Sequence, residues 1–237
     1  MTSVKVIAES PSLLRQDGRD YNAYLARPAE GAHAAIMILT EMFGLNEPMR
    51  ELARSYAQLG FVALVPNLFW RSEVPGGLAY EGVEREIAWQ RLRDLDFDAA
   101  GHDLATATRW LRDQSFCTGK VGAIGFCAGG RMAFIAAARA KVDAAVSLYA
   151  LGITHHIAEM PQVGCPTQLH YGMKDQHVPQ VEIDKIAEAA RAWPLVEIHL
   201  YPEAGHSFFN AVRPTYDPQA AALAGQRIDT LFASLRN

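Results

Sequence analysis

The stretch 120-KVGAIGFCAGG-130 decides how this chain folds. Val121–Gly125 is a short apolar run, suited to a strand covered on both faces. Cys127 follows, with Gly125 and Gly129 two residues to either side, and small residues then lead into a helix. The two glycines leave room for a sharp strand-to-helix turn, and Gly130 lets the helix lie close to the sheet. A G-x-S-x-G turn that displays a nucleophile is built this way, but here the serine position holds a thiol. Cys127 alone also suits a buried small hydrophobe, so the rest of the chain has to decide between the two.

Outward from this turn, strand and helix patterns alternate. Asn22–Pro28 alternates apolar and polar residues and reads as an outer antiparallel strand. Ala34–Leu39, Phe61–Val65, Ala144–Tyr149, Thr167–Tyr171 and Val196–Tyr201 read as further strands. Between them, Met49, Leu52, Ala53 and Tyr56 repeat at helical spacing, with Pro48 in the first turn and Gly60 at the stop. Ile183, Ile186, Ala187 and Ala190 repeat that spacing after Pro179, residues 80–113 read as helical with a break at Asp94–Asp98, and a last helix spans about Pro218–Leu235. The pattern predicts a mainly parallel sheet with helices on both faces. In such sheets a site lies beyond the carboxyl ends of the strands.

Composition narrows the class. The 237 residues fit one domain, 1–237. Half are hydrophobic, as in an ordinary globular enzyme, and a net charge of -4 offers no basic stripe for nucleic acid. The opening MTSVKVIAES lacks the apolar core of a signal peptide, and no run reaches the ~18 apolar residues of a membrane span. A cytoplasmic chain that binds neither nucleic acid nor membrane is the expectation. Three cysteines (Cys117, Cys127 and Cys165) do not make a disulfide framework, and no C-x-x-C or H-E-x-x-H spacing suggests a metal. His155 and His156 are adjacent and read as a surface loop.

The residues just past the strands form a set. Glu41 follows the second strand in TEMFGLN, Cys127 follows Val121–Gly125, Asp175 follows in GMKDQHVP, and His206 follows in PEAGHSFFN. Nucleophile, acid and histidine thus occur in the chain order of the α/β-hydrolase triad. A thiol needs ionisation to attack, and a helix N-terminus at Ala128 and a nearby imidazole both favour it. Asp175 can fix the imidazole tautomer. The backbone N–H groups of Ala128 and Met42 are the candidate oxyanion donors. Taken singly, Asp175 also suits a turn or helix cap, His206 a loop, and Glu41 a cap near Pro48.

The stretches TEMFGLN, GFCAGG, GMKDQHVP and EAGHSF resemble the signature segments of the dienelactone hydrolase (carboxymethylenebutenolidase) family, and the likeness runs from about Tyr21 to the C-terminus. The resemblance implies a single-domain α/β-hydrolase fold, a Cys-His-Asp triad, no cofactor and no metal. It implies opening of the enol-lactone ring of dienelactone to maleylacetate, a step in chlorinated-aromatic degradation. By the resemblance Cys127 is nucleophile, His206 base and Asp175 its orienter, while Glu41 sits beside the thiol and takes its proton when substrate arrives. An ionised carboxylate there holds the thiol neutral at rest, which protects it from oxidation.

The family substrate is a small lactone with a free carboxylate, which suits arginine. Of the two family arginines, one matches Arg85, with Trp89 one turn on as a wall of the pocket. A solvated Arg85 paired with Glu81 is the plainer alternative. The second falls at Asn210, which carries no charge, so the clamp is weakened unless Arg213 or Arg71 reaches in. A neutral hydrogen bond is worth about 1 kcal/mol against roughly 1.5–3 for a charged one, a loss of about tenfold in affinity. A broader carboxylesterase with the same triad is therefore the alternative to an enol-lactone hydrolase, and a non-catalytic binding protein a more distant one. The oligomeric expectation is a monomer.

Overall fold

The structure, a computed structural model, describes residues 4–236. Strands β1 (Val6–Glu9), β2 (Ser12–Gln16) and β3 (Arg19–Pro28) open the chain. The alternation then begins with β4 (His33–Leu39), α1 (Glu47–Gln58) and β5 (Val62–Pro66). Helices α2 (Val83–Arg93) and α3 (Phe97–Arg112) precede β6 (Cys117–Phe126), α4 (Ala128–Arg139) and β7 (Ala144–Leu148). The chain closes with β8 (Thr167–Gly172), α5 (Gln180–Ala190), β9 (Val196–Tyr201) and α6 (Pro218–Ala233).

The sheet order is β1-β3-β5-β4-β6-β7-β8-β9, with β2 paired to β3 off that path. Pairs from β5 through β9 are parallel, and β1, β2 and β3 join antiparallel. The expected mixed architecture is therefore present. Asn22–Pro28 is antiparallel as expected, but it is not the outermost strand, because β1 pairs beyond it at Val6↔Pro28. Residues 1–3 of the opening MTSVKVIAES lie outside the described residues, and Val6–Glu9 of it form β1. No helix among the described residues is long and apolar enough to cross a membrane.

Two apolar cores sandwich the sheet. One gathers Leu104 of α3, Met132 of α4 and Ile183 of α5 against Met37, Leu64 and Ala123. The other gathers Met49 and Ala53 of α1 and Ala224 and Ile228 of α6 against Ile36, Ile124 and Val146. A parallel sheet buried on both faces requires the continuous apolar runs of β4 and β6. The central strands are held from both sides, so their carboxyl ends form a rigid platform.

Two local features correct the sequence reading. His155 and His156 belong to a 3-10 segment, Ile153–Gln162, rather than a surface loop. His156 is buried, with Nδ1 2.7 Å from Glu159 Oε1, because the segment packs this side against α4. The helix near Pro48 is capped by Asn46, whose Oδ1 accepts from the Met49 N–H at 3.4 Å, and not by Glu41.

Candidate active site

Cys127 sits between β6 and α4 with φ 56° and ψ -113°. This is unfavourable for a side-chain-bearing residue, and the neighbours enforce it. The Cys127 N–H donates to Leu148 O at 3.0 Å, and Cys127 O accepts from Gly130 N at 3.0 Å. The flanking glycines are steric necessities: a Cβ on Gly125 would overlap the Gly129 carbonyl, and one on Gly129 would overlap the Leu39 carbonyl. A Cβ on Gly130 would come within 2.8 Å of Leu148 O. Backbone therefore passes backbone at three points, and the thiol is carried on a tight strand-to-helix elbow. Cys127 is 6% exposed, so the residue is buried beneath its neighbours.

The other carboxyl ends bring their residues to the same place. Asp175, after β8, serves two purposes. Its Oδ1 accepts from the His177 and Val178 N–H groups at 2.7 and 3.3 Å, and its Oδ2 accepts from His206 Nδ1 at 2.7 Å. Asp175 thus caps its turn with one oxygen while the other contacts His206. Burial lowers the affinity of His206 for a proton, but Asp175 and the nearby Cys127 sulfur outweigh it and raise the pKa to about 10. The imidazole thus faces a carboxylate on one side and the sulfur on the other. The N–H groups of Met42 and Ala128 find no partner among the described residues, so both are available.

Glu41 is buried at the same site. Its Oε1 accepts from the Ser207 hydroxyl at 3.3 Å, and its Oε2 has no partner among the described residues. Burial raises its pKa, against the opposing influence of the Arg213 and His206 charges and of the nearby polar groups of Asn210 and Ser207. The Asn210 side-chain amide also donates to Tyr80 Oη at 3.3 Å. The Arg213 guanidinium lies over the Tyr80 ring at 4.8 Å and the Phe43 ring at 5.4 Å. Arg213 thus brings a positive charge to the Asn210 side of the site. Arg71 does not reach it, because it is spent on an ion pair with Asp103.

Arg85 is exposed on α2 and makes no ion pair with Glu81 among the described residues. Its charge is one of the influences that lower the pKa of His177, after burial and His206. Trp89 lies 6.1 Å from His177, whose ring lies 4.9 Å from that of His206. Arg85 and Trp89 therefore stand on the rim, one ring away from the candidate base.

Three site residues escaped the sequence reading. Tyr149 follows β7, with its ring 5.1 Å from His206 and its buried hydroxyl unpartnered among the described residues. It was counted as the last residue of a strand, although its place just past that strand was the available signal. Ser207 is buried beside Glu41, and His177 lies inside the quoted GMKDQHVP. Five non-glycine residues among those described have positive φ, and three of them are Cys127, Tyr149 and Ser207. Backbone strain of on the order of 1–3 kcal/mol each persists only where surrounding structure imposes it, and here it gathers at one site.

Among known proteins, the pattern of the dienelactone hydrolase family matches residues 21–235. This chain belongs to that family. A carboxymethylenebutenolidase of Pseudomonas putida is 35% identical over 234 residues, 98% of this chain and 99% of its own. Carboxymethylenebutenolidase 1 of Cupriavidus pinatubonensis is 30% identical over 98% of this chain and 99% of its own. A solved dienelactone hydrolase candidate from Klebsiella pneumoniae superposes with a TM-score of 0.85 at 27% identity, covering 97% of this chain and 99% of that one. Membership of the dienelactone hydrolase family makes the chain a hydrolase of ester or lactone bonds with the α/β-hydrolase fold.

Proposed function

We propose that the protein opens enol-lactones of the dienelactone type through a thioester on Cys127. The observation that carries this reading is the single imidazole, His206, bonded to Asp175 and adjacent to the Cys127 sulfur. The sulfur attacks the lactone carbonyl, and charge gathers on oxygen against the Met42 and Ala128 N–H groups. The ring C–O bond breaks, and the electron pair leaves as an enolate. Water then attacks the thioester, its proton goes to the enolate or to His206, and the acid leaves with Cys127 regenerated. A stabilised enolate is a good leaving group, which makes the reaction accessible to sulfur.

Glu41 gates the thiol in this reading. It shares the site with His206 and Arg213, and its unpaired Oε2 is free to accept a proton. Arg213 takes over from the uncharged Asn210 the task of holding the substrate carboxylate, and Arg85 with Trp89 forms the entrance. The protein acts as a monomer in the cytoplasm without metal or cofactor.

The uncharged Asn210 favours one alternative, a broader esterase on small activated esters. Comparing kcat/KM on dienelactone with that on p-nitrophenyl acetate separates the two. The proposal expects Arg213→Met to lower kcat/KM on dienelactone by about tenfold, the difference between a charged and a neutral bond, with less than twofold change on the neutral ester. Equal losses on both, or a wild-type preference for the neutral ester, favour the esterase.

A further inference from the structure

Helix α2 buries only two side chains, Ala88 and Arg91. Ile87, Trp89 and Leu92 pack half-buried against Met42, Phe43 and Leu78, as the apolar side of a surface helix does, but a fully buried arginine among them requires an explanation. Arg91 is 4% exposed. No carboxylate pairs with it among the described residues. A buried charge is retained only where its hydrogen bonds compensate for lost water. The guanidinium spends them on backbone: Nε donates to Met42 O at 2.8 Å, and Nη1 donates to Val74 O at 3.1 Å and Gly76 O at 2.7 Å, while Nη2 has no partner among the described residues. The carbon of the guanidinium lies 4.2 Å from the Phe69 ring centre. Burial lowers its pKa to about 10, so it stays charged at neutral pH.

These bonds converge on the turn that carries the candidate oxyanion donor. Residues 41–44 form a β-turn closed by the Gly44 N–H to Glu41 O at 3.0 Å, with Met42 and Phe43 at its centre. The Met42 N–H lies in the first peptide of the turn, whose carbonyl, Glu41 O, accepts the closing bond, and the next peptide, Met42 C=O to Phe43 N–H, is the central one that differs between type I and type II. Met42 is therefore held through both of its peptides, by Arg91 on its own carbonyl and by the Gly44 N–H on the carbonyl before it, so removing Arg91 frees one side of the residue that carries the donor. The turn is shaped around the guanidinium: Gly44 has φ +67°, and a Cβ there would lie 2.6 Å from Arg91 Nη2. The loop that supplies the other two carbonyls is itself fastened to the turn, because the Leu78 N–H donates to Phe43 O at 2.8 Å.

We infer that Arg91 is a positioning residue for catalysis, which holds the Met42 turn in the orientation that presents its N–H to the oxyanion. This rests on the cysteine reading above and adds to it a residue that does not touch substrate. The inference separates two reactions of the same sulfur. Turnover passes through an oxyanion, whereas alkylation by iodoacetamide is a displacement at a methylene carbon and forms none.

The test is to measure kcat and the second-order rate of iodoacetamide alkylation in wild type, Arg91→Met and Arg91→Lys. Arg91→Met is expected to lose about 10- to 100-fold in kcat, at or below the usual cost of an oxyanion donor, while alkylation stays within about twofold. Arg91→Lys can replace only part of the fork and is expected to fall between Arg91→Met and wild type, again with normal alkylation. If Arg91→Met fails to fold, the lysine variant carries the test alone. A kcat within twofold of wild type, or a parallel loss of turnover and alkylation, overturns the inference. Wild-type turnover that survives complete alkylation of Cys127 overturns the cysteine reading and this inference with it, and so identifies which of the two has failed.

Discussion

At Cys127 the backbone is held at φ 56° so that one sulfur projects beyond the sheet. The residues around it divide the chemistry. Asp175 Oδ2 lies 2.7 Å from His206 Nδ1, the contact that fixes the imidazole tautomer in the proposed mechanism. Asp175→Asn leaves the shape and removes the charge. It is expected to lower kcat by roughly 10³-fold, by analogy with the loss of about 10⁴ when the acid of a serine triad is so changed. It should also move the His206 pKa from about 10 toward its ordinary 6.5. An NMR titration of the imidazole and a pH–rate profile check both halves, and an unchanged kcat would show that Asp175 only caps its turn. Glu41→Gln removes the carboxylate proposed to gate the thiol and is expected to alter turnover and the pH dependence of thiol alkylation together. If neither changed, gating by Glu41 would be excluded.

At the scale of elements, the elbow and the helix starts carry the fold into the site. Gly129→Ala sets a methyl group against the Leu39 carbonyl, and either β4 or α4 must shift. The expected outcome is loss of folded protein or a clear fall in Tm together with loss of activity. Asn46→Ala removes the cap of α1 and is expected to cost about 1 kcal/mol, or about 2–4 °C in Tm for a domain of this size, with normal turnover. These contrasts also show what the sequence could disclose. The buried parallel strands were legible because continuous apolar runs between turn residues have few alternatives, and the elbow was legible because only glycine tolerates backbone contact on both sides. Strands β1 and β2 were not, since Val6–Glu9 and Ser12–Gln16 are short, partly exposed and defined only by pairing with β3. The triad candidates were found by their place after strands. Ser207 was missed because its role depends on Glu41, 166 residues away in the chain, and Arg91 because no helical pattern distinguishes a buried arginine from a solvated one.

Across the whole molecule, two histidines with opposite shifts shape stability. His170, on β8, is fully buried, with Nδ1 2.7 Å from Tyr201 Oη and Nε2 3.2 Å from Gln168 Oε1. Burial, with the nearby His199 and Arg227, lowers its pKa to about 3. Between about pH 3 and 6.5 the unfolded chain therefore binds the extra proton, and stability rises with pH. His206, raised to about 10, has the opposite sign: its contribution is complete below 6.5 and is lost as pH rises toward 10. Stability by urea unfolding should thus peak near pH 6.5. His170→Gln should flatten the acid limb and His206→Gln the alkaline limb. Limbs unaffected by these substitutions would place the linkage elsewhere.

The central claim is a covalent bond to one sulfur, and intact-mass spectrometry of acid-quenched enzyme during dienelactone turnover tests it most directly. Ring opening releases no fragment, so the account predicts an adduct of the whole substrate mass, mapped by peptide analysis to Cys127 and absent from Cys127→Ala, which should also be inactive. An adduct on another residue, or undiminished turnover by Cys127→Ala, would contradict it.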